Sequence, residues 1–111
     1  MKVFIEMNDW KPIAQFLTQI PDSDFSFQFI IDDDEDEMQA YTYLDDGLIT
    51  VAITRDEEDD FIVLGHECVH LLQHVLGLPI SEDQAYGLEQ LACDCLIGKR
   101  YVKDLIREMT K

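Results

Sequence analysis

The stretch of this chain most able to do chemistry is Leu64-Gly65-His66-Glu67-Cys68-Val69-His70-Leu71-Leu72-Gln73-His74. His66 and His70 stand four residues apart, and Glu67 directly follows the first histidine. On a helix, residues i and i+4 share one face one turn apart, so both imidazoles can reach one metal ion. A glutamate beside the first histidine projects next to such an ion, where it holds a water rather than ligating. The spacing therefore predicts zinc bound by His66 and His70, with Glu67 beside it to hold a water. All three histidines of the chain fall within nine residues. Phe61, Ile62, Val63, Leu64, Val69, Leu71, Leu72, Val75 and Leu76 make the rest of the helix apolar on most sides, which places it in the interior. Its polar residues, His66, Glu67, His70, Gln73 and His74, form one stripe. A stripe that merely faces water would carry lysine, arginine and several glutamates, so the solvated-face explanation fits poorly.

A catalytic zinc takes three protein ligands and keeps one open position. Position 73 is Gln and position 76 is Leu, so no glycine and third histidine follow three and six residues after His70. His74 lies two turns, about 12 Å, along the axis from His66 and cannot share its ion. The third ligand is then an acid on the next helix, where Glu82, Asp83, Glu89 and Asp94 are the candidates. The first helix continues about 10 Å past His70 before Gly77 turns the chain. An antiparallel neighbour starting at Ser81 then brings Glu89 level with His70. Glu89 also sits in a stripe with Ala85, Ala92 and Leu96, where an unpartnered carboxylate is costly. Glu89 is the favoured third ligand, and Glu82 stays open.

The segments His66-Glu67-Cys68-Val69-His70 and Glu89-Gln90-Leu91-Ala92 resemble the zincin-type zinc metallopeptidases. Glu89-Gln90-Leu91-Ala92 is similar to the Glu-x-x-Ala of gluzincins, including the ImmA/IrrE-type peptidases of bacteria and mobile elements. Small phage-encoded proteins with His-Glu-x-x-His are similar in size. The resemblance covers about residues 48–97. It implies a small sheet before the active-site helix, and zinc held by His66, His70 and Glu89. It further implies that Glu67 takes a proton from a zinc-bound water and passes it to the leaving amine. Tyr86 is a candidate oxyanion donor, with an ordinary packed tyrosine as its alternative. Leu48–Thr54 is the strand expected to bind extended substrate by strand addition. Two positions depart from the family pattern. Cys93 stands where Asn or Asp is usual, and Glu82-Asp83-Gln84-Ala85 is a further Glu-x-x-Ala.

The elements that must carry these residues read as α+β. Lys2–Glu6 predicts a short strand. Asn8 or Asp9 is placed to cap a helix with Pro12 in its first turn and Trp10, Ile13, Phe16, Leu17 and Ile20 at helical spacing. Phe25, Phe27, Phe29 and Ile31 share one face of the next strand. Met38–Leu44 and Leu48–Thr54 alternate as two more, joined by Asp45-Asp46-Gly47. The pattern predicts that the last three strands form an antiparallel meander. A helix over about 60–76 ends at Gly77. Another starts at Ser81, with Gln84 placed for a capping box, and runs to about Met109 with a bend near Gly98. The expectation is a sheet of three to four antiparallel or mixed strands packed against the active-site helix and a C-terminal helix. Length predicts one domain over 1–111.

Charge limits the partners. Eight basic and 24 acidic residues give a net charge of −16. Residues 1–60 carry 17 acids and 3 bases, a net of −14, and residues 61–111 carry 7 and 5, a net of −2. Such a chain repels nucleic-acid backbones and anionic membranes. A protein or peptide substrate, basic by charge complementarity, is the expected partner. No long apolar run and no signal-peptide pattern are present, so a cytoplasmic location is expected. The acidic run Asp32–Glu37 lacks the glycine and spaced ligands of a calcium loop and reads as a solvated loop. Cys68, Cys93 and Cys95 read as reduced thiols, small and buried rather than a zinc pair. Two other functions compete with a peptidase. One is a catalytically silent zinc-binding interaction or regulatory module, against which the intact Glu67 argues. The other is an acidic protein that imitates nucleic acid, which predicts acids over one exposed face rather than a buried His/Glu stripe.

Overall fold

A computed structural model describes residues 2–21, 23–33 and 40–111. It is α+β, with a four-stranded mixed sheet and four helices. The strands are β1 (Val3–Ile5), β2 (Ser26–Ile31), β3 (Ala40–Asp45) and β4 (Leu48–Ile53), and the helices are α1 (Lys11–Thr18), α2 (Phe61–Leu76), α3 (Glu82–Leu96) and α4 (Val102–Met109). No helix among the described residues is long and apolar enough to cross a membrane.

The sheet order is β1-β2-β4-β3, which corrects the expected meander. β1 pairs β2 in parallel and β2 pairs β4 in parallel, while only β3 and β4 run antiparallel. The physical reason is burial. Ile49 to Ile53 of β4 are all buried, so β4 is covered on both faces and takes a central place. The outer end of β3, Tyr43 to Asp45, is exposed, and β3 takes the edge. The Asp45–Leu48 pairing leaves a two-residue turn in which Asp46 (φ 49°) and Gly47 (φ 78°) are both left-handed. That is the turn whose twist matches a tight hairpin. Expectations for Asp34–Glu37, Met38 and Gln39 lie outside the described residues.

Phe27, Phe29, Ile49, Val51 and Ile53 point from the sheet into one core with Phe16, Leu64, Leu71, Leu72 and Leu105. Trp10 itself occupies the cap position of α1 and no side chain caps that helix, so neither Asn8 nor Asp9 plays the expected role. Asp60 caps α2 by accepting from the Ile62 and Val63 amides. Gly77, at φ 68°, ends α2. Ser81 caps α3 through the Gln84 amide. Gln84's side chain does not return to close a capping box but bonds Gln73 and Met109. The long C-terminal helix breaks rather than bends. Gly98, at φ 82°, follows the end of α3, and the amides of Lys99 and Arg100 both fold back onto the Asp94 carbonyl.

Cys68 and Cys95 are fully buried and Cys93 is half-buried. Burial raises the Cys95 thiol to about 11 and pushes Cys68 up as well. In native protein, iodoacetamide should modify Cys93 first and leave Cys68 and Cys95 protected until unfolding. Peptide mass spectrometry of a labelling time course checks this, and equal labelling of all three in native buffer would contradict the packing.

Candidate metal centre

The interior position of α2 brings His66, Glu67, His70 and Gln73 into the protein, all four buried. A short connection makes α3 its antiparallel neighbour. The two helices meet backbone to backbone at Gly65. A Cβ there would stand 2.9 Å from the Glu89 carbonyl oxygen and 2.9 Å from the Cys93 amide nitrogen. Gly65 is therefore what lets the backbones approach, and Ala85 and Ala92, both fully buried, keep the facing side of α3 shallow.

This approach sets the level of each acid. The connection from Gly77 to Ile80 runs back along α2 before α3 begins, so the Ser81 carbonyl accepts a bond from Gln73. His70 is then faced by the first turn of α3 rather than by the following one. Glu82 Oε1 lies 2.6 Å from His70 Nε2, and Glu82 Oε2 lies 3.2 Å from His66 Nε2. Ligand atoms of His66, His70 and Glu82 all lie within 4.8 Å of one another. Glu89, the acid favoured by helix arithmetic, lies elsewhere on the same ring: its Oε2 is 2.9 Å from His66 Nδ1. Asp83 and Asp94 join neither group among the described residues. His74 stands apart, half-buried, its imidazole pKa lowered by burial and by His70.

The hydrogen bonds determine where the imidazole protons sit. Glu89 Oε2 can only accept when ionised, so His66 Nδ1 carries a proton. Gln73 Oε1, 2.7 Å from His70 Nδ1, can only accept, so His70 Nδ1 carries one too. Both Nε2 atoms are left facing the Glu82 carboxylate. Two nitrogen lone pairs against a carboxylate repel unless protons or a cation lie between them. Two imidazoles and one carboxylate are a donor set suited to zinc.

Glu67 is held from the sheet. Thr42 of β3 donates from Oγ1 to Glu67 Oε1 at 2.7 Å. Burial pushes the Glu67 pKa up; the Thr42 bond and the two imidazoles pull it partly back. Thr42 escapes the sequence reading, although it is the inward-facing hydroxyl between Tyr41 and Tyr43. Those tyrosines stack, with centroids 5.8 Å apart, and Tyr41 donates its hydroxyl to Asp32. Tyr86 packs its ring on the edge of His66 at 4.6 Å and is otherwise exposed.

These groups line an open cleft of about 530 Å³ between β3 and the α2–α3 pair, with Ile62, Val63 and Ile80 as its apolar wall. The edge strand bordering it is β3, not the Leu48–Thr54 strand expected from sequence. Comparison of the chain with protein-family models, with curated proteins and with solved structures finds no match.

Gly65→Ala puts a methyl against two backbone atoms that cannot swing aside. We expect it to destabilise the fold by about 1–3 kcal/mol and to move Glu89 off His66. Thermal unfolding checks the stability change, and an unchanged Tm would contradict the close approach.

Proposed function

We propose that this protein is a zinc-dependent peptidase in which His66, His70 and Glu82 hold the metal, Glu89 orients His66, and Glu67 is the general base. The supporting observation is the convergence of two buried imidazoles and one carboxylate, within 4.8 Å, beside a buried glutamate in an open cleft. Zinc bound there supplies Lewis acidity, polarising a peptide carbonyl and bringing a water's pKa toward neutrality. The chain's own residues do the rest. With Oε1 engaged by Thr42, Glu67 Oε2 is the oxygen that takes a proton from water and returns it to the leaving amine. The raised pKa of Glu67 suits that exchange better than an ordinary exposed carboxylate. Unpaired on its outer side among the described residues, β3 offers backbone groups to an extended substrate along the cleft.

The substrate class that suits the cleft is a basic polypeptide. Among the described residues no lysine or arginine lines it, whereas Glu67, Glu82 and Glu89 do. Three carboxylates against one zinc leave −3 + 2 = −1, so metal loading does not turn the cleft positive. Arg55 is the one lysine or arginine between Lys11 and Lys99, and it is ion-paired to Asp33 at 3.3 Å. Cleavage of a basic peptide should therefore weaken with added salt, through KM, as exposed charges are screened. A salt-insensitive KM would remove the basic preference and leave the peptidase.

Metal content tests the reading directly. Untagged protein should hold about one zinc per chain, as expected of three protein ligands with one position left open. His66→Ala should lose it, and Glu67→Gln should keep it while abolishing peptide cleavage. Glu82→Gln should weaken zinc binding far more than Glu89→Gln, whose loss should cost roughly 10–100-fold as an orienting partner. No zinc after reconstitution overturns the proposal. Zinc without cleavage of any peptide in a broad screen leaves a silent zinc-binding module.

A further inference from the structure

We propose that Gln73 is the positioning residue for His70, and that it does so as the middle of a hydrogen-bonded relay reaching from α4. The inference rests on the proposed function only in taking His70 as a ligand.

Gln73 is fully buried, and a buried glutamine needs all its polar atoms satisfied. Its Nε2 donates to the Ser81 carbonyl at 3.0 Å and to Gln84 Oε1 at 3.0 Å. Its Oε1 faces His70 Nδ1 at 2.7 Å. Gln84 Nε2 in turn donates to the Met109 carbonyl at 3.2 Å.

The direction of this chain is fixed at both anchors. A backbone carbonyl can only accept. Turning the Gln73 amide over would set its oxygen against the Ser81 carbonyl, and turning Gln84 would set its oxygen against the Met109 carbonyl. Each glutamine therefore has one permitted orientation, and the two agree where they meet. With Gln73 Oε1 fixed toward the imidazole, His70 must donate from Nδ1, and its Nε2 is the nitrogen turned toward Glu82. A glutamate at 73 could not replace the amide, because it would face two acceptors and have nothing to donate. A merely space-filling Gln73 would leave undetermined which nitrogen of His70 carries the proton.

The test reads the tautomer without needing metal. In protein labelled with 15N-histidine, metal-free and in alkaline buffer, His70 should show the Nδ1–H tautomer, and zinc loading should leave that proton in place. Gln73→Met keeps the length and removes the relay. It should abolish the tautomer preference and weaken zinc binding roughly 10–100-fold. Gln84→Met should do less, because Ser81 still holds Gln73. An Nε2–H tautomer in the wild-type protein overturns the inference, as does a folded Gln73→Met that binds zinc within about twofold of wild type. If Gln73→Met does not fold, the wild-type spectrum decides alone. Absent zinc binding with an intact Nδ1–H sinks the metal reading and leaves the tautomer assignment standing.

Discussion

The contact on which the site depends is the meeting of two helix backbones at Gly65. Side chains reach across an interhelical gap only over a limited span, and ordinary packing holds helix axes about 8–10 Å apart. Because Gly65 lets the Glu89 and Cys93 backbone approach, the short reach of a glutamate suffices to touch a histidine on the facing helix. The depth of the pair also follows from this contact. His66 and His70 stay buried because α3 lies directly over them, and Glu82 closes the group from the rim.

Electrostatics then divides the labour among the acids. One carboxylate sits on an imidazole Nδ1, another bridges the two Nε2 atoms, and a third is buried against a threonine hydroxyl. Three negative charges this close are unfavourable unless each has its own compensating donor or cation. Glu67 meets that constraint through the Thr42 hydroxyl and Glu89 through the His66 Nδ1 proton, whereas Glu82 needs a proton or a cation between it and the two Nε2 atoms. Among the described residues no lysine or arginine takes part, which keeps the cleft free of competing cationic side chains.

The parts of this arrangement readable from sequence are those governed by local periodicity. His66, Glu67 and His70 share a face because i and i+4 always do, and Asp60, Gly77 and Ser81 end their helices through short-range chemistry. Strand order is not readable in the same way. The runs of β2 and β4 both alternate acceptably, and only the burial of Ile49 to Ile53 on both faces makes β4 central. Glu82 rather than Glu89 stands level with His70 because the path of Gly77 to Ile80 sets the level of α3, and no residue type records that path. Gln73 is visible as an amide in the polar stripe of its helix, but its partner Gln84, and the Met109 carbonyl that Gln84 bonds, are brought to it only by tertiary folding.

The same hairpin geometry bears on how such a centre assembles. His66, His70, Glu82 and Glu89 all belong to α2 and α3, neighbours in sequence joined by five residues, Gly77 to Ser81. Closing so short a loop costs little chain entropy, and contacts this local form early. Thr42 comes from β3, which a two-residue turn folds onto β4, and it meets Glu67 across 25 residues, close to the 23 that separate His66 from Glu89. The cluster around His66 and His70 and the bond that restrains Glu67 therefore close over similar spans of chain.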